Sequence, residues 1–205
     1  MAYFRQCTNV IRGNFMDQVS EQLQMIRGSD TVPQIKTHKP GYLIRQGCHQ
    51  DRRSFDQSFQ TAFKKPSPFD KMMINQLPSG FWVAEHRPTG SVVASATAGI
   101  FPLAQHPIGH SLYWAFCHNS HRGTGIGQAT IAAATEILAD CAANYSYLST
   151  DDFRLPAIDI YLKLGWKPLL FDAMQAQRWS NVFSNLNRKF DPSAWPVKPP
   201  QKSPK

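Results

Sequence analysis

The chain has 205 residues, 42% hydrophobic and 18% charged, which suits one globular domain with extensions and a core of useful size. No apolar run approaches the roughly 20 residues that cross a bilayer, residues 1–14 lack a signal-peptide core, and Cys7, Cys48, Cys117 and Cys141 show no metal-ligand spacing. The net charge of +8 leaves only +4 on residues 41–190, without an aromatic-basic pattern, so a reduced, cytoplasmic protein with no metal and no nucleic-acid partner is expected.

In chain order, residues 1–40 read as an N-terminal extension. Phe15, Val19, Leu23 and Ile26 predict a weak amphipathic helix over 15–26, packed on the core or offered to a partner. The main domain is placed at 41–190. Tyr42 to Arg45 reads as its first strand, and Phe55, Phe59 and Phe63 share one face of a helix within 51–63. Lys64-Lys65-Pro66-Ser67-Pro68 breaks that helix, and a second is predicted over 69–76. Strands follow over 81–85 and 92–100, joined at Pro88-Thr89-Gly90, then a loop with two prolines over 101–108. Leu112 to Cys117 reads as a buried strand. After the segments taken up next, 169–171 is strand-like and 176–190 partly helical. The tail 191–205, with five prolines and three lysines, reads as disordered and basic.

The most informative stretch is His121-Arg122-Gly123-Thr124-Gly125-Ile126-Gly127-Gln128-Ala129, which follows the 112–117 strand. It precedes Ile131, Ala134, Leu138 and Cys141, spaced as one helix face. A glycine-rich turn that opens a helix suits a phosphate, because the backbone approaches closely and the helix N-terminus presents unpaired N–H groups. Arg122 adds a fixed charge. A Walker A loop is excluded, since the required lysine is missing. A dinucleotide fingerprint is excluded too, because Gln128 stands where it needs its third glycine. What remains is R-x-x-G-x-G, as Arg122, Gly125 and Gly127.

A second segment follows at a fitting distance. Tyr145 to Thr150 reads as a short strand, Asp151 and Asp152 offer helix N-caps, and Pro156 suits a first turn. Ile158, Tyr161 and Leu162 share one helix face, and Gly165 stops it. Together, R-x-x-G-x-G and Leu155-Pro156-Ala157-Ile158-Asp159-Ile160-Tyr161-Leu162-Lys163-Leu164-Gly165-Trp166 resemble the two motifs of the GNAT acetyltransferase superfamily, in family order.

That resemblance implies an α/β fold over roughly 41–180, with a mixed central sheet splayed at the cofactor site and flanking helices. It implies acetyl-CoA as co-substrate and direct transfer of the acetyl group to a primary amine on a small molecule, amino acid or peptide-like acceptor. Cofactor contacts would come from Phe116, Cys117, His118, Arg122, Gly123, Thr124, Gly125, Ile126, Gly127 and Asp152. Tyr161 would give a proton to the departing thiolate, and pairing of two copies through sheet edges or C-terminal strands is a further implication. The strand 112–117 has no carboxylate to serve as general base. His118 is then the candidate, with Glu85 and His110 behind it and a neutral amine that needs no base as the alternative. Asn119 stands where relatives often carry proline. Arg154 reads as a phosphate contact or a surface residue. Arg178 and Trp179 read as acceptor-pocket residues, or as a surface arginine beside a core tryptophan. Two other readings use the same loop: a non-catalytic CoA-binding module, and a protein acetyltransferase that holds an acidic partner through the N-terminal helix and basic tail.

Overall fold

The predicted hairpin forms two long strands, β3 (Gln76–His86) and β4 (Ser91–Ile100), paired antiparallel around a turn at Gly90. The remaining strands are β1 (Leu23–Arg27), β2 (Tyr42–Gln46), β5 (His110–Cys117), β6 (Ser146–Thr150) and β7 (Lys167–Leu169). The helices are α1 (Arg52–Phe63), α2 (Phe69–Asn75), α3 (Ile126–Asp140), α4 (Leu155–Lys163) and α5 (Ala173–Asn185). A computed structural model describes residues 22–33, 39–141 and 144–200. Among these, seven strands make one sheet in the order β2-β3-β4-β5-β6-β1-β7, antiparallel throughout except for β5 beside β6.

Each face of the sheet has its own apolar layer. Phe55 and Phe59 of α1 and Phe69 and Met72 of α2 pack on Phe81, Val83, Val92 and Phe116. On the other face, α3, α4 and α5 bring Ile131, Leu138, Ile158, Tyr161 and Trp179 against Leu23, Met25, Ala96, Leu112 and Leu148. Burial of such side chains contributes about 1.5–3 kcal/mol each and decides which way every helix faces. Polar contacts then fix the register. Ser54 and Ser58, about one turn apart on α1, bond the N–H and C=O of Val92 (2.6 Å each), where the β3–β4 ladder is irregular.

The predicted α/β fold with a mixed sheet and flanking helices is the one observed. Two expectations change. The helix predicted over 15–26 lies outside the described residues up to 21, and its remainder is strand. Leu23–Arg27 pairs with β6 on one side and β7 on the other, so the sheet begins ahead of residue 41. Every residue of β1 is buried, because both faces are covered. The described part of the tail is also packed. Leu170 N–H donates to Pro196 O (2.9 Å), and the Trp195 ring stands 4.7 Å from Phe183 and 5.0 Å from Phe190. Residues 201–205 lie outside the described chain.

Candidate active site

The sheet is open at one place. Parallel β5 and β6 pair only at Ser111 and Tyr147, and beyond that point the strands carry no ladder between them. The opening faces the last residues of β5 and the loop into α3. His118 N–H donates to Val93 O (2.7 Å), so that group is engaged on the β4 side. Alternation along an antiparallel strand then turns the N–H and C=O of Cys117 toward the gap.

A bulge shapes this strand. Thr97 pairs with Tyr113 and Ser95 with Phe116, so Trp114 and Ala115 together face the single residue Ala96. Trp114 takes φ +48, a left-handed conformation costly for a bulky side chain. The extra residue puts Tyr113 and Trp114 on the α1/α2 face together, where both pack on the Phe55–Phe116 cluster.

The loop after β5 turns through Asn119–His121 and reaches Gly125, which caps α3 at φ +86. Glycine is required there, since a left-handed backbone costs other residues roughly 1–2 kcal/mol. No side chain caps α3 and its first turn has no acidic residue, so the first N–H groups of a 15-residue helix face outward. Gly127 packs α3 on β5, where a Cβ would stand in van der Waals contact with Cys117 Cβ at 3.4 Å. Thr124 Oγ1 donates to His121 O (2.6 Å), and Lys39 N–H donates to Thr124 O (2.9 Å). Tyr42 OH and His121 Nδ1 are hydrogen-bonded at 2.9 Å. Burial first, then His86 and His118, hold the His121 pKa below its ordinary value. Sequence reasoning missed Tyr42, Lys39 and His86 as supports of this loop.

The candidate catalytic groups occupy different places. Tyr161 is buried on α4 against the core, and burial pushes its phenol up to about 12, with the Arg154 charge pulling back. His118 Nδ1 accepts from Ser120 N–H (3.4 Å), and its ring contacts His121. His118 lines a cavity of about 340 Å³ with Ser54, Ser58, His86 and His121, on the α1 side of the sheet. Cys117 is half-buried, and burial raises its thiol pKa, which disfavours a nucleophilic role. Glu85 accepts from Arg45 (2.9 Å) and is committed to that ion pair. His110 sits at the far end of β5, with its pKa lowered by burial.

Beyond β6 the two aspartates do not cap α4, contrary to expectation. The cap residue is Arg154, and Pro156 lies in the first turn as predicted. Asp151 accepts from Arg154 Nε (2.7 Å) and from Gln22 Nε2 (2.8 Å). Asp152 is held by Arg178 through Nε (2.9 Å) and Nη2, and that hydrogen-bonded pair lowers its pKa. Arg178 therefore already carries a carboxylate. Trp179, considered for an acceptor pocket, is fully buried in the core.

The sequence model of the acetyltransferase (GNAT) family matches residues 47–166, more than half of the chain. No curated protein matches. Among solved structures, a GCN5-related N-acetyltransferase from Sphaerobacter thermophilus is 17% identical with a TM-score of 0.55, over 71% of this chain and 47% of its own. A GNAT-family acetyltransferase from Colwellia psychrerythraea is 14% identical with a TM-score of 0.55, over 72% of this chain and 53% of its own. This chain spans about half the length of these structures, and at such identity the likeness concerns the fold.

Proposed function

The chain belongs to the GNAT acetyltransferase family, and on that premise we propose that it moves an acetyl group from acetyl-CoA directly to the primary amine of a small acceptor. The observation that carries this reading is the gap between β5 and β6, open beyond a single paired position and ending at the uncapped start of α3. A pyrophosphate bound by the N–H groups of Gly123 to Gly127, with Arg122 beside it, would direct the pantetheine arm into that gap. Asp152, held by Arg178, flanks the gap from the β6 side. Among the described residues no cluster is suited to a metal ion and no helix is long and apolar enough to cross a membrane.

In the proposed transfer, the amine nitrogen attacks the thioester carbon, and negative charge gathers on the carbonyl oxygen. Cys117 N–H, the group turned toward the gap, serves as its donor. The C–S bond then breaks with its electron pair on sulfur, Tyr161 gives its phenolic proton to the thiolate, and the proton shed by the attacking nitrogen passes through solvent to restore the phenol. A phenol is protonated at neutral pH and can give that proton to a thiolate within hydrogen-bond reach. His118, held by Ser120 at the phosphate end of the gap, shapes the loop, and the acceptor binds as the neutral amine.

Calorimetric titration with acetyl-CoA tests the reading, with ATP and NAD as controls. Saturable binding of acetyl-CoA alone, followed by CoA release on adding an amine, is expected. A folded protein that does not bind acetyl-CoA would overturn it.

A further inference from the structure

The acceptor's chemistry can be read from what borders the gap on the α1/α2 face, granted the transfer reading above. From the Phe101 end to the end of α1, that border is aromatic. Phe101, Tyr113 and Trp114 form one cluster with ring centroids 4.1–5.2 Å apart. Phe63, the last residue of α1, stands 6.3 Å from Phe116 on the same layer. Phe63, Phe101, Tyr113 and Trp114 are all half-exposed. Such a wall offers flat apolar area and ring contacts to a ligand.

One charged side chain crosses to this wall from the β6 side. The Arg154 guanidinium lies over the Phe63 ring (5.0 Å) and beside the Phe153 ring (5.5 Å). Its Nε is spent on Asp151, whereas Nη1 and Nη2 have no hydrogen-bond partner among the described residues. Arg178, by contrast, engages Asp152 with two nitrogens. Two features separate Arg154 from the cofactor phosphates. Phe63 belongs to the α1/α2 layer, and α3, whose N-terminus suits the phosphates, packs on the opposite face. Arg154 is also the cap residue of α4, seven positions and so about two turns ahead of Tyr161 along the same helix.

We infer that the acceptor is an aromatic α-amino acid, its side chain on the Phe63–Trp114–Tyr113 wall and its carboxylate on the Nη groups of Arg154. In an α-amino acid the amine and the carboxylate share one carbon, so a carboxylate-binding arginine must lie close to the thioester. Arg154 meets that demand, and a guanidinium fork matches a carboxylate in shape and charge.

Two measurements on the full chain test this. The first compares binding of N-acetylphenylalanine, N-acetylphenylalaninamide and N-acetylalanine by calorimetry with CoA present. N-acetylphenylalanine should bind about tenfold to a hundredfold tighter than either other compound. Arg154→Gln should erase its advantage over the amide, Arg154→Lys should keep part of it, and Phe63→Leu should reduce its advantage over N-acetylalanine. Equal affinity for acid and amide, the behaviour of a peptide acceptor, would overturn the inference, as would an acid preference that survives in Arg154→Gln. The second measurement is turnover of the corresponding free amines with acetyl-CoA. Selective binding of N-acetylphenylalanine without turnover would sink the transfer reading and leave the ligand site standing.

Discussion

Arg27 Nε donates to Leu164 O at 2.9 Å, joining the end of β1 to the end of α4 across 137 positions of sequence. The other guanidinium nitrogens bond Gly28 O, Asp30 O and Thr31 O at 2.6–3.0 Å. One buried side chain thus satisfies carbonyls of a helix end and of the chain leaving β1. Gly165 takes φ +84 beside it, the left-handed turn that ends α4 and presents Leu164 O to the guanidinium. Arg27→Met should destabilise the fold by about 2–4 kcal/mol, because it strands four carbonyls while keeping the apolar stem. Chemical denaturation measures it. A loss within experimental error would show that water replaces the guanidinium.

His106 gives the fold a pH dependence. It is fully buried in the loop between β4 and β5 and stacks on Tyr147 with centroids 4.1 Å apart. Nε2 lies 2.8 Å from Gln24 Oε1, an acceptor, so Nε2 carries the proton and Nδ1 accepts from Tyr145 OH at 3.2 Å. Burial lowers its pKa from 6.5 to about 4. The unfolded chain therefore takes up the proton first as pH falls. Stability should be full above pH 6.5 and decline toward pH 4, by up to about 3 kcal/mol. Urea denaturation across that range should show the slope, and His106→Asn should flatten it. An unchanged slope in the variant would assign it to other groups.

Gly125 carries two demands at once: a left-handed backbone and open space before α3. Gly125→Glu meets neither, and sets a carboxylate where the pyrophosphate is proposed to bind. Acetyl-CoA affinity should fall by at least about a hundredfold, while the thermal midpoint moves by only a few degrees. Calorimetry beside a melting curve separates the two effects. Undiminished affinity in a folded variant would move the phosphates elsewhere.

What the sequence made legible was the part governed by local chemistry. Gly125, Pro156 and Gly165 mark turns or helix starts through their own backbone preferences, and the hairpin at Gly90 follows from the same cause. β1 escaped because a strand covered on both faces has no alternation, and Leu23 and Ile26 happen to fit a helical spacing. The tail escaped because a proline-rich composition speaks for disorder, whereas one side chain, Trp195, finds an aromatic site on α5. The Tyr42–His121 and Arg154–Phe63 contacts span 79 and 91 positions and leave no local trace.

Tyr161 separates binding from chemistry. Its hydroxyl is proposed to act only when the C–S bond breaks, so removing it should cost turnover and little cofactor affinity. Its ring fills core space with Ile158 and Leu164, and phenylalanine keeps that volume. Tyr161→Phe should therefore fold normally, bind acetyl-CoA within about threefold of the parent and lose about a hundredfold in kcat. The loss should shrink when the thioester carries a more acidic thiol, because a better leaving group needs its proton less. Rates at saturating acetyl-CoA with two such thioesters give the answer. An equal loss with both would mean that the phenol positions the thioester and does not protonate the thiolate.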